Sequence, residues 1–316
     1  MTNARTVRPT DLVALVSYDG RVYPNAALTR DRIGTEASPH PLETALEQWF
    51  SFATGRHTWI SIKGATLRGL ASARRRGSKT AWEVDCLIDA AEDDDSVLTS
   101  LLERVAADAS RGGAEKIFLR VAADSPVVAA ATRCGFTPFM NEKLLATDTA
   151  RPTTNQTAEH QLRRWSRSDA YPTYRLYNCW TPETVRRVEA ATFREWQSAR
   201  ERVSTKRGTQ QRVLEVDGRL EGWLRTAADG ELGRFDLMAD PADPDILDAL
   251  IEGALDRLSE QSSLFTLTPL FATTLTRHLE DRGFVEQGEF TVLARRTTQT
   301  VDLAELAPKA IQSFPT

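Results

Sequence analysis

One pattern of turns, strands and helices occurs twice along this chain, and nothing else in the sequence limits the fold as much. Leu67-Arg68-Gly69-Leu70 precedes a strand-like run over 82–88. A helix-like stretch, a second strand-like run over 116–121, another helix and Gly135-Phe136 follow. In the second half Leu220-Glu221-Gly222-Trp223 precedes a run over 235–238, a helix, a run over 264–267, a helix and Gly283-Phe284. Two copies of domain size indicate a duplicated domain and not a solenoid, whose repeats are short and numerous. A length of 316 residues suits that division.

The helix starts are well marked. Asp124-Ser125-Pro126, Thr181-Pro182 and Asp243-Pro244 each set a capping side chain before a proline that fits the first turn. After Pro244, Ile246, Leu247, Leu250, Ile251, Ala254, Leu255 and Leu258 fall on one helical face, as do Leu98, Leu101, Leu102 and Val105 in the first half. The strand candidates are rich in branched and aromatic residues, and Asp217-Gly218 is a tight-turn signal between two of them. Each half therefore reads as α/β, a mixed central sheet flanked by helices. The boundaries expected are a first domain over 1–148, a linker over 149–171, a second domain over 172–298 and a tail over 299–316.

With 41% hydrophobic and 27% charged residues, the chain has the apolar content for two cores. A net charge of −4 provides no global attraction to nucleic acid or to an anionic membrane. Cys86, Cys134 and Cys179 are scattered, no two at metal-ligand spacing, and an odd count does not make a disulfide framework. No metal site is expected. The first residues lack the apolar segment of a signal peptide and no apolar run reaches membrane-spanning length, so the expected location is cytoplasmic.

The element order resembles the GNAT superfamily of acetyl-CoA-dependent N-acyltransferases, in tandem. The hairpin ending at Gly69, the strand over 82–88, the strand over 116–121 with Asp124-Ser125-Pro126, and Gly135-Phe136 carry the likeness in the first half. Gly222, the run over 235–238 and Gly283-Phe284 carry it in the second. The resemblance implies two GNAT-like domains and transfer of an acetyl or acyl group from acyl-CoA to the amine of a small molecule or peptide. It implies that pantetheine lies in a V-shaped opening between two parallel strands, bonded to strand backbone. Cys86, Leu87 and Ile88 are then the cofactor-binding strand, and Ser125 stands at the following turn. The pyrophosphate would sit on a glycine- and arginine-bearing loop at a helix start, where free N–H groups and the helix dipole favour an anion.

Two features depart from that pattern. The loop over 89–96 carries Asp89, Glu92, Asp93, Asp94 and Asp95, with neither glycine nor arginine; the second-half loop has Asp240, Asp243 and Asp245 and no basic residue. The tyrosine that often protonates the leaving thiolate is replaced by Ala131 and Leu279. The sequence thus leaves two functions open: an acyltransferase working through its first half, or a non-catalytic tandem serving as a binding or assembly module.

Individual residues carry paired readings. Alternation along the strand sets Glu83 and Asp85 on one side and Trp82, Val84 and Cys86 on the other. In the resemblance a carboxylate here is the general base, which makes Glu83 and Asp85 the catalytic candidates; the other reading pairs Glu83 with Arg74, Arg75 or Arg76 across the sheet. Asp236 is taken as the second-half counterpart of Glu83. The basic hairpin tip 74–79 reads as solvated, its other reading being a site for an acidic substrate or a phosphate; His57 and His278 read as structural, and Trp49, Phe50 and Phe52 as core or pocket wall.

Overall fold

The computed structural model describes residues 4–6, 23–35, 56–63, 66–91, 95–148, 162–201, 209–240 and 244–297. The first half contributes strands β1 (Arg5–Thr6), β2 (Arg56–Lys63), β3 (Thr66–Arg75), β4 (Ala81–Asp89), β5 (Lys116–Ala122) and β6 (Thr137–Thr147), with helices α1 (Asp95–Arg111) and α2 (Val127–Arg133). The second contributes β7 (Leu162–Arg164), β8 (Thr209–Val216), β9 (Arg219–Asp229), β10 (Leu232–Ala239), β11 (Ser263–Pro269) and β12 (Val285–Arg296). Its helices are α3 (Ala170–Trp180), α4 (Glu183–Glu189), α5 (Phe193–Ala199), α6 (Pro244–Arg257) and α7 (Thr273–Glu280).

All the strands form one 12-stranded mixed sheet, ordered β1-β2-β3-β4-β5-β12-β6-β11-β10-β9-β8-β7. The order reads the same from either edge once the halves are exchanged, apart from β1 and β7. The closing strands are swapped: β12 pairs with β5 of the first half, Leu293 opposite Leu119, and β6 pairs with β11 of the second, Leu144 opposite Leu267. β6 and β12 pair with each other at the centre. Each half therefore completes its sheet with a strand from the other.

Local sequence accounts for the elements. The Asp217-Gly218 turn has positive φ at both residues, 50° and 76°, the geometry that matches the twist of a two-residue hairpin between β8 and β9. Gly135 and Gly283 stand just past α2 and α7 at φ 78° and 87°, the left-handed position that ends a helix. On one face α1 buries Val97, Leu101, Leu102 and Val105 against Trp59, Val84, Leu87 and Leu119. On the same side of the second half α6 buries Leu247, Leu250, Ile251 and Leu255 with Phe235, Leu237 and Leu264.

On the opposite face α3, α4 and α5 reach across the centre. Tyr177, Trp196 and Ala199 pack with Ala81 and Phe118 of the first half and Ala294 of β12. Helices of the second half thus cover strands of the first. Of the stretch expected as a linker, the described part, 162–171, includes β7, whose Leu162 seats over Gly253 in a notch that a Cβ would fill at 2.3 Å. The expected tail, together with Trp49, Phe50 and Phe52, lies outside the described residues. No described helix is long and apolar enough to cross a membrane.

Candidate functional site

The sheet opens in two corresponding places. β4 and β5 run parallel and pair only as far as Glu83 opposite Phe118; β10 and β11 pair only as far as Arg234 opposite Phe265. Beyond those pairs the strands part, which leaves backbone groups on facing lips and makes a V at each half's centre.

The first V is filled by the chain itself. Ala26 N–H donates to Leu87 O at 2.9 Å on the β4 lip, and Leu28 N–H donates to Arg120 O at 2.9 Å on the β5 lip. The Asn25 side chain accepts from Leu87 N–H at 2.8 Å and donates to Asp85 O at 3.2 Å, while Arg32 donates to the same carbonyl at 2.7 Å. Residues 25–28 therefore take the hydrogen bonds that a pantetheine arm would need.

The sequence candidates fall around this plug. Glu83 is 2% exposed and receives Arg74 at 2.7 Å and Arg76 at 3.2 Å. Burial raises its pKa, and the two arginines only partly offset it. Asp85 is fully buried, held by Ser72 at 2.6 Å and Arg56 at 2.6 Å. The Leu87 backbone is bonded to Asn25 and Ala26, and Ser125 Oγ accepts from Val127 N–H at 3.3 Å as a helix cap. Cys86 and Ile88 pack with Ile60, Leu67 and Leu70.

Cys86 corrects the expected alternation. The register shifts between Ser72/Cys86 and Ala73/Val84, so Asp85 is the extra residue of a β-bulge. Trp82, Val84 and Leu87 face α1 while Cys86 faces the opposite way. The register also corrects the counterpart of Glu83. Arg234 holds the last parallel pair in β10 as Glu83 does in β4, and Asp236, counted from the Gly222/Ala239 and Gly69/Asp89 pairs, stands where Cys86 stands.

The second V is different. Among the described residues no backbone segment runs between β10 and β11. A cleft of about 930 Å³, counted to its mouth, passes from Phe271 and Leu275 through the opening between Leu237 and Thr266. It emerges beneath α3–α5 among Tyr177, Trp180, Glu189, Trp196 and Arg200, with Trp223 of β9 opposite. One end is thus a slot between strands and the other an aromatic chamber carrying charge.

Between the two openings lies a continuous chain of ion pairs. Asp31–Arg74 (2.6 Å), Arg74–Glu83, Glu83–Arg76, Arg76–Glu201 (3.5 Å) and Glu201–Arg120 (2.7 Å) lead from the first half. Arg120–Glu142 (2.6 Å), Glu142–Arg30 (2.6 Å), Arg30–Asp236 and Asp236–Arg225 (2.7 Å) lead into the second. Five carboxylates alternate with five guanidinium groups, so the buried chain carries no net charge. Burial alone would raise the pKa of Glu201 and of Asp236, but Arg120, Arg76 and Arg30 around the first and Arg225 and Arg30 around the second outweigh it. Both carboxyls lie below the ordinary range. The turn 74–76 is therefore not a solvated tip: Arg76 is 2% exposed, because carboxylates from both halves converge on it. His57 stacks on Trp59 and Trp82, and His278 bonds Asp248.

Two residues of the chamber escaped the sequence reading. Glu189 ends α4, and its carboxylate accepts the Tyr177 hydroxyl at 2.9 Å. Burial raises its pKa, and the Tyr177 bond and Arg76 do not cancel that effect. Arg200 follows α5, its guanidinium 5.1 Å from the Trp196 ring centroid and 5.4 Å from that of Trp165. Glu189 and Tyr177 lie on different helices, and only packing brings them together.

No protein-family model matches the sequence, and no curated protein sequence matches it. Solved structures do. A GCN5-related N-acetyltransferase from Sphaerobacter thermophilus superimposes with TM-score 0.55 at 14% identity, over 95% of this chain and 97% of that one. A proposed acetyltransferase from Pyrococcus horikoshii superimposes with TM-score 0.52 at 11% identity, over 95% and 90%. At such identities the likeness speaks for the fold, and the chain carries the fold of the GCN5-related N-acetyltransferases twice, in tandem.

Proposed function

We propose that this protein is an N-acyltransferase whose working half is the second, with the acyl thioester of CoA threaded between β10 and β11 and the acceptor amine in the chamber under α3–α5. The observation that carries the reading is the contrast between the openings: the first is bonded shut by residues 25–28, whereas the second continues as a cleft from α7 to Glu189. The parted lips of β10 and β11 suit a pantetheine arm, which needs backbone partners and a narrow apolar slot. The nucleotide end fits poorly. Asp240 N–H is bonded to Glu221 O at 3.0 Å, and the following loop supplies carboxylates and no basic residue.

In this reading the ammonium of the acceptor gives a proton to the Glu189 carboxylate, whose raised pKa suits a base. The free amine attacks the thioester carbonyl, the carbon–sulfur bond breaks, and CoA leaves as a thiolate; the second proton, which the nitrogen sheds as the amide forms, reaches that thiolate through solvent, and Glu189 then returns its own proton to solvent. Leu279 occupies the place from which the usual tyrosine would protonate the sulfur. Asp236 points at the cleft but is held ionised by Arg225 and Arg30, which suits a fixed charge better than a proton acceptor. The chain's main contribution is to hold the two reactants together.

Calorimetric titration with acetyl-CoA and free CoA tests the assignment. The expected stoichiometry is one ligand per chain, lost when Leu237 or Thr266 is replaced by tryptophan and unaffected by changes at Asn25. No binding at millimolar ligand leaves the tandem as a non-catalytic module.

A further inference from the structure

Among the described residues, the chamber holds one guanidinium without a carboxylate partner, Arg200. Every other arginine lining the cleft is paired: Arg30 with Glu142 and Asp236, and Arg225 with Asp236. Arg200 makes a single hydrogen bond among the described residues, to the neutral Gln211 Oε1 at 2.6 Å, an oxygen that also receives Trp223 Nε1 at 3.2 Å. Arg200 lines the cleft, with its guanidinium resting on Trp196 and Trp165. Burial, with the like charge of Arg225, lowers its pKa to about 10, so it is still cationic at neutral pH. A half-buried cation left with a ring face and an amide oxygen is a ready receptor for an anion, because a guanidinium presents five donors in a planar fork.

The charges of the chamber are spaced by apolar surface. Glu189 is bonded to the Tyr177 hydroxyl at 2.9 Å; the Tyr177 ring lies 6.4 Å from that of Trp196, and Trp196 lies 5.1 Å from the Arg200 guanidinium. A carboxylate, two aromatic rings and a guanidinium therefore follow one another along the wall. We propose that the acceptor is an amino carboxylate with an apolar body: its amine at Glu189, its body against Tyr177 and Trp196, and its carboxylate on Arg200. The assignment rests on reading this chamber as the acceptor site. It adds the second charge, which acyl transfer itself does not require.

The test compares probes that differ only in that charge. Aminohexanoate and para-aminomethylbenzoate are titrated against hexylamine and benzylamine, first alone by tryptophan fluorescence, then with acetyl-CoA by release of free thiol. The wild-type protein is expected to bind each amino carboxylate at least about tenfold more tightly than its amine partner, the scale of one charge-assisted hydrogen-bonded pair. Arg200→Gln should abolish that preference while leaving CoA affinity unchanged, and Arg200→Lys should keep part of it. Equal binding of acid and amine by the wild type, or no binding of either, overturns the inference whatever the variants do. A preference for the acids without CoA binding would instead overturn the transferase reading and leave the anion site standing.

Discussion

The two halves share a topology and differ in what stands between their parted strands. In the first, Asn25, Ala26 and Leu28 lace β4 to β5, and the carboxylate at the last parallel pair, Glu83, is locked by two arginines. In the second the strands stay parted, the last pair carries Arg234, and a cleft runs through to Glu189, a carboxylate with no arginine ion pair among the described residues. In the proposed reading the first half is support and the second carries the site. The plug also serves the second half, because the same segment carries Arg30 onto Glu142 and Asp236. The lesson is about burial: a strand opening is stable when either chain or ligand satisfies its backbone groups, and here chain does so once.

Glu189 should show the contrast most strongly. Glu189→Gln keeps the shape and removes the proton acceptor, so the transfer rate is expected to fall at least about a hundredfold with little change in CoA affinity. The wild-type rate should rise with pH through a limb set by a carboxyl lying above the ordinary value of about 4.3, because the base works deprotonated and burial raises its pKa. That limb should vanish in the variant. Glu83→Gln should show the opposite pattern, with folding weakened and the pH limb kept. A rate loss confined to the Glu83 variant would move the site to the first half.

The next largest effect concerns the charged seam. Glu142 is fully buried between Arg120 and Arg30, so Glu142→Gln strands two guanidinium groups and should cost about 3–5 kcal/mol in denaturant unfolding. The seam also fixes the sign of the acid response. The folded-state pKa values of Glu201 and Asp236 are depressed, so their contribution is fully present above the unfolded carboxylate values near about 4. It is lost as pH falls through the lower folded values.

The β3–β4 turn and its counterpart give a smaller contrast. At Gly77 a Cβ would meet Gln197 O at 2.1 Å, and Gly77 N–H already bonds Ser198 O at 3.0 Å, so this turn is docked on α5 of the other half. At Gly230 a Cβ would meet nothing within 4 Å, although φ is 62°. Gly77→Ala should cost about 1–3 kcal/mol by overpacking and loosen the join between halves. Gly230→Ala should cost about 1 kcal/mol through backbone strain alone. Equal losses would mean that the docked turn yields.

Much of this fold is legible in the sequence because it is locally written. The face of α6 reads directly from the spacing of Leu247, Leu250 and Ile251, and the Asp217-Gly218 turn announces a hairpin. The strand exchange is not legible, because β6 and β12 serve equally well beside either half's strands and their own residues do not choose. The plug is invisible for a related reason: Asn25-Ala26-Ala27-Leu28 has no strand alternation, and its partners are backbone atoms of residues 85, 87 and 120. Charge pairing is half legible. Arg74 with Glu83 follows from adjacent strands, whereas Arg30 with Asp236 joins residues 206 positions apart. The candidate site failed to show itself in the sequence for the same reason, since the pairing of Glu189 with Tyr177 and the stacking of Arg200 on Trp196 and Trp165 exist only once α3–α5 are packed.

The smallest expected effect is the one that tests how far the proposed working half differs from the phosphate chemistry that the resemblance implies. A pyrophosphate bound at a helix start gains from free N–H groups, from glycines that let it approach and from basic side chains. In the second half Asp240 N–H is already bonded to Glu221, and Asp245 brings negative charge to the first turn of α6. The dipole of α6 is thereby answered by the chain's own carboxylate. Acetyl-pantetheine, which lacks both phosphates and the nucleotide, should therefore bind and donate within about tenfold of acetyl-CoA, and raised salt should tighten CoA slightly by screening the repulsion. An acetyl-pantetheine affinity lower by a hundredfold or more would show that a phosphate cradle exists, and the two openings would then differ only in the plug.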